Sequence, residues 1–135
     1  MDEKLIQEFL RKGNIFAVVG APRDSKKYGH HVFRDLKEAG YKVYPINLQA
    51  KEILGEKCYP SLQKLPQLPD VVDMVVPPKV TEKIVQECKK LGIKKVWLQP
   101  GSESKKIIRF CQENNIKVIH DVCVMVKRRE MIKKE

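Results

Sequence analysis

The chain has 135 residues, 42% of them hydrophobic and 33% charged. That is one domain's length with enough apolar content for a packed core, which excludes a disordered chain and makes an enzyme built from separate cofactor and substrate domains unexpected. Lys and Arg outnumber Asp and Glu by 27 to 17, a formal net charge of +10; the excess suits a phosphorylated or polyanionic partner and equally a Lys/Glu-dense solvated surface.

Residues 3–12 carry Leu5, Ile6, Phe9 and Leu10 on one stripe, with Gly13 beyond, which predicts a short amphipathic helix. IFAVV, residues 15–19, is a continuous branched apolar run, the pattern of a strand covered on both faces. Gly20 and a polar loop to about Lys27 follow. A helix is predicted over 28–39, with Val32, Phe33, Leu36 and Ala39 at helical spacing and Gly40 placed to close it. The second strand is predicted at 42–46. Residues 47–69 are polar, with prolines at 60, 66 and 69, and read as loop with at most a short helix near Glu52. A third strand over 70–76 is stopped by Pro77 and Pro78. A helix over 79–91 puts Ile84, Val85, Cys88 and Leu91 on one face, and a fourth strand follows at 94–98. Ser102 is the expected N-cap of a helix over 103–114. A fifth strand at 116–120 and a last helix over 123–132 complete the chain.

Strands alternating with helices imply crossover connections and a parallel sheet with helices on both faces. The expected architecture is an α/β, Rossmann-like, doubly wound sheet of five parallel strands in the order 3-2-1-4-5. In such sheets ligands lie beyond the carboxyl ends of the strands, where the strand order reverses. Here that rim comprises Gly20 to Arg23, Asn47 to Lys51, Pro77-Pro78, Gln99 to Gly101 and Asp121 to Cys123.

Gly20 admits a turn and a close backbone approach that other residues resist. The helix that follows offers unpaired N–H groups to an anion, and Ser25, Lys26 and Lys27 add a hydroxyl and two cations. The set suits a pyrophosphate; a glycine in this place also serves a plain tight turn. Eight residues separate Gly20 from Gly29, so GxGxxG is absent. Where NAD sites carry an acid for the ribose diol, at the end of the second strand, this chain has Asn47 followed by Lys51. That arrangement suits a phosphorylated ribose, as in coenzyme A or NADP.

GAPRDSKKYGHHVFRDLKEAGYKVYPIN, ILGEKCYPSL, VWLQPGSES and HDVC, in that order, resemble the small stand-alone CoA-binding proteins. These are similar to the nucleotide-binding first domain of the succinyl-CoA synthetase alpha subunit. The resemblance covers roughly residues 11–127 and implies a single CoA-binding domain over 1–135, with coenzyme A or an acyl-CoA as its small-molecule ligand. It implies phosphate contacts at Gly20, Ala21, Pro22 and Arg23. Pro22 stands where the family usually has Ser or Thr, which shifts weight to Arg23, Ser25 and Lys26. It implies an adenosine side at Asn47 and Lys51, an adenine wall at Val76 and Pro77, and a pantetheine side at Gln99, Pro100 and Gly101.

The synthetases add a domain with a phosphorylated histidine and a partner subunit, and neither fits in 135 residues. His30, His31 and His120 read as structural or ligand-packing; His120 and Asp121, as strand neighbours, point to opposite faces. Cys58, Cys88, Cys111 and Cys123 form no CxxC pair and no zinc spacing, so no metal is expected. Cys123 is a buried thiol or lies near the cofactor's own thiol. The expectation is CoA binding with no catalytic residue, in the cytoplasm and away from membranes. No apolar run approaches the ~20 residues of a membrane helix, and the acidic, amphipathic opening segment is unlike a secretory signal. The alternatives are an NADP-type reductase or a CoA-ligase component completed by a separate subunit. Nucleic acid is disfavoured by 7% aromatic residues and the lack of a recognisable binding motif. Oligomeric state stays open.

Overall fold

A computed structural model of the chain describes residues 2–134. In chain order the elements are α1 (Glu3–Phe9), β1 (Ile15–Val19), α2 (Tyr28–Glu38), β2 (Lys42–Ile46), β3 (Glu52–Ile53), β4 (Glu56–Lys57), a 3-10 turn at Leu62–Lys64, β5 (Val71–Met74), α3 (Pro78–Leu91), β6 (Lys95–Leu98), α4 (Lys105–Glu113), β7 (Lys117–Ile119) and α5 (Val124–Lys134). The five long-range strands pair in parallel, and β3 and β4 form a small antiparallel hairpin.

The doubly wound parallel sheet is as expected, but the third strand of the main sheet lies elsewhere. The sheet runs β2-β1-β5-β6-β7, so β5 sits between β1 and β6. In the numbering of the expected order 3-2-1-4-5 this is 2-1-3-4-5. The link between β2 and β5 decides the difference. It carries no α-helix, only the hairpin and the 3-10 turn. Leu62 of that turn packs with Ile46, Val72 and Met74, on the face opposite α2. A link that returns over β1 must change faces to keep the right-handed crossover. The reversal of strand order therefore falls between β1 and β5.

Alternate side chains divide the core. Phe16, Val18, Val71 and Trp97 pack with Phe9 of α1, Phe33 and Leu36 of α2 and Val124 of α5. Ala17, Val19, Val72 and Val96 pack with Val85 of α3 and Ile107 of α4. Pro45 is tolerated in β2 because β2 is an edge strand. Its outward carbonyl accepts from Tyr59 N–H at 3.0 Å, so the link itself covers part of that edge. Ser102 does not cap α4. Ser104 does, accepting from Ile107 N–H at 3.1 Å. Among the described residues no helix is long and apolar enough to cross a membrane.

Candidate functional site

The turn leaving β1 is built for glycine. Gly20 has φ +95°, and a Cβ there would meet Val76 Cγ1 at 2.6 Å and the Val75 carbonyl oxygen at 2.7 Å. Gly29, in the first turn of α2, is equally confined: its Cβ would meet the Gly20 carbonyl oxygen at 2.7 Å. The start of α2 therefore packs directly on the turn, and the β5 end packs on its other side. From the sequence Gly29 serves only to mark a spacing from Gly20 and has no role, although a second glycine opening the next helix was the available signal. His30, expected in a structural or ligand-packing role, has a definite structural task. Its buried ring lies 2.9 Å, through Nδ1, from the Pro22 carbonyl. A carbonyl only accepts, so Nδ1 carries the hydrogen and ties the loop to α2.

Three clefts adjoin this turn along the carboxyl rim. The largest, about 410 Å³, lies between Gly20, Ile46, Leu48, Val76, Val80 and Ile84. It is mostly apolar and within the size range of small-ligand sites. A polar cleft of about 310 Å³ lies across Pro22, Arg23, Asp24, Asn47, Gln49 and Ala50. A third, about 250 Å³, runs over Val75 to Pro78 and Pro100 to Ser102. Gly20, Pro22, Arg23, Asn47, Val76, Pro77, Pro100 and Gly101 thus come together on one rim.

The remaining sequence candidates fall differently. Ala21 is fully buried, and its carbonyl accepts from Asn47 Nδ2 at 2.8 Å. Asn47 Oδ1 accepts from the N–H groups of Gln49 and Ala50 at 2.8 and 3.0 Å. Asn47 therefore joins the loops that follow β1 and β2, an organising role beside its place in the cleft wall. Ser25, Lys26 and Lys51 are exposed and line none of the three clefts. Gln99 does not face the rim. It is fully buried, with Nε2 donating to Asp73 Oδ1 at 2.6 Å and Oε1 accepting from Tyr28 O–H at 2.9 Å and Val124 N–H at 3.2 Å.

That network has its own electrostatics. Asp73 is fully buried in β5, and burial pushes its carboxyl up to about 8, against a smaller opposing effect of the Gln99 hydrogen bond. Its Oδ2 has no hydrogen-bond partner among the described residues. Burial, with the nearby Cys123 sulfur, raises the Tyr28 hydroxyl, so it remains a donor. It lies 2.8 Å from Cys123 Sγ. Ser102, another residue whose part the sequence did not reveal, donates to the Met74 carbonyl at 3.0 Å and accepts from Val76 N–H at 3.1 Å. It pins the end of β5 where the Gly20 turn rests. His120 and Asp121 do meet, Nδ1 to Oδ2. β7 ends at Ile119 and Asp121 has φ +66°, so strand alternation no longer separates them. All four cysteines are free, with Cys58, Cys88 and Cys111 buried. Among the described residues no group of three or more His, Cys, Asp or Glu is placed to hold a metal ion.

The chain is 32% identical to a hypothetical protein from Pyrococcus horikoshii, with a TM-score of 0.92 over 98% of this chain and 93% of that one. It is 26% identical to the uncharacterized protein YneT of Bacillus subtilis, over 90% of each chain. It is 34% identical to the acetate–CoA ligase (ADP-forming) II subunit alpha of Pyrococcus furiosus, spanning 80% of this chain and only 26% of that subunit. The CoA binding domain family matches residues 14–129, which include the Gly20 turn and all three clefts. With a match over nearly its whole length, the chain belongs to the CoA binding domain family.

Proposed function

We propose that this chain binds coenzyme A, or an acyl-CoA, along the carboxyl rim of its sheet and performs no reaction of its own. The Gly20 turn carries this reading: a tight turn held at φ +95° and packed against Val75 and Val76, set between an apolar cleft and a polar one at the reversal of strand order. In this reading the adenine and ribose occupy the cleft beside Val76 and Val80. The phosphates lie beside this turn and are held by the Arg23 guanidinium, since the Gly20 N–H already donates to the Ile46 carbonyl and Pro22 has none. The pantetheine arm follows the cleft over Pro77, Pro100 and Gly101. Lys26 and Lys51, exposed and outside the clefts, contribute long-range attraction to the phosphates. Membership of the CoA binding domain family supports CoA over NADP.

Thermal denaturation at moderate salt tests the proposal. CoA should raise the melting temperature more than NADP or ATP does. Val80→Trp, which fills the apolar cleft from a partly exposed helix position, should abolish that rise without lowering the ligand-free melting temperature. Equal shifts from all three nucleotides would reduce the site to a generic one, and turnover of an acyl-CoA by the isolated chain would end the claim of mere binding.

The likeness to the acetate–CoA ligase alpha subunit favours a second reading, in which this domain serves as the CoA-holding part of a larger assembly. Acetate- and ADP-dependent CoA turnover appearing only on addition of a separate subunit would select it.

A further inference from the structure

The apolar cleft ends on a charge that no ion pair among the described residues balances. Among the described residues Glu87 is its one ionisable wall residue. It is half-buried, and its carboxylate enters no ion pair or hydrogen bond among the described residues. This occurs in a chain of 27 basic residues, with Lys83 and Lys90 on the same helix at the i−4 and i+3 positions where pairing is easiest. A solitary carboxylate beside the site of a polyanion is unfavourable unless it meets a hydrogen-bond donor.

The geometry of α3 says which donor. Val80, Ile84 and Glu87 follow one face of the helix at four- and three-residue steps, and all three line the cleft. Val80 lies one turn from the amino end of α3, near the rim. Glu87 lies seven residues on, about 10 Å further down the axis. A nucleoside entering with its phosphates at the Gly20 turn points the far edge of its base toward Glu87. In adenine that edge carries an exocyclic amine, a double donor, whereas in hypoxanthine it carries a carbonyl that a carboxylate repels. Resting on the CoA reading above, we infer that Glu87 selects the base, by accepting a hydrogen bond from the exocyclic amine of adenine.

Calorimetric titration with CoA and with its hypoxanthine analogue, in which the amine is replaced by oxygen, tests this. The wild-type protein should prefer CoA by about tenfold or more, the scale of one charge-assisted hydrogen bond. Glu87→Gln should bind the two ligands within about twofold of each other, because an amide can accept from the amine or donate to the carbonyl. Glu87→Ala should lose affinity for CoA and the preference together. Equal wild-type affinities, or full preference retained in Glu87→Gln, would overturn the role of Glu87 and leave the CoA reading standing. Failure of the wild-type protein to bind either ligand would overturn both. Both substitutions are at a half-exposed helix position, and unchanged melting temperatures of the free variants establish that they fold.

Discussion

Asp73 holds a carboxyl where none can be solvated, and its effect should be visible in the stability of the whole chain. Its folded-state value, about 8, lies above that of an unfolded aspartate. Between about pH 4 and pH 8 the unfolded chain has therefore released a proton that the native state retains. Stability falls as pH rises through that window, by up to about 1.4 kcal/mol per pH unit for one proton. It levels off above pH 8. Asp73→Asn keeps an acceptor for Gln99 and removes the ionisation, so its unfolding free energy, measured by urea titration from pH 4 to 9, should vary less with pH. At Gly20, both the positive φ and the Val75 carbonyl oppose any side chain. Gly20→Ala should cost ~1–3 kcal/mol and remove CoA binding, read by the same denaturation with and without ligand. Gly20 was legible in the sequence because a glycine directly after an apolar strand signals a tight turn. Asn47 and Gln99 were legible only as rim residues. A polar side chain at a strand end looks the same whether it faces a ligand or a neighbouring loop, and the partners Ala21, Asp73 and Tyr28 are supplied by tertiary packing.

The two serines before α4 divide the work of joining elements. Ser104 caps the helix, and Ser104→Ala should destabilise the protein by ~1 kcal/mol without changing CoA affinity. Ser102 holds Val76 N–H and the Met74 carbonyl. Ser102→Ala should therefore lower both the melting temperature and the affinity for CoA, since it frees the segment against which the Gly20 turn rests. Calorimetric titration of the two variants side by side separates the roles. Either serine fits a helix-start pattern, which is why the sequence placed the cap two residues early. The main helices and strands were legible from apolar periodicity within a residue or three of their ends. The hairpin Glu52–Ile53 with Glu56–Lys57 was not, because two residues are too few to show an alternation.

Across the whole molecule, the four thiols should sort by burial. Cys58, Cys88 and Cys111 are buried, and burial raises each of these thiols, whereas Cys123 is half-buried on the rim. A thiol reagent should modify one cysteine rapidly in the native protein and four after denaturation, with CoA slowing the first if its arm passes that end of the sheet. The parallel, doubly wound architecture followed from alternating strands and helices. The position of the third strand did not, because alternation records that a crossover exists and leaves its direction open; the packing of Leu62 on the face opposite α2 is what shows the link turning back across β1. That link, between β2 and β5, lays down no α-helix. An ordinary crossover would have roofed the ends of β1 and β2 on that face, over the ground where Val80 and Ile84 now look across to Leu48. The chamber is thus a product of topology more than of any carved set of side chains. Conservative changes in its walls should reshape it only slightly, while a two-turn helix grafted between Ser61 and Asp70 should seal it and leave the five-stranded scaffold standing.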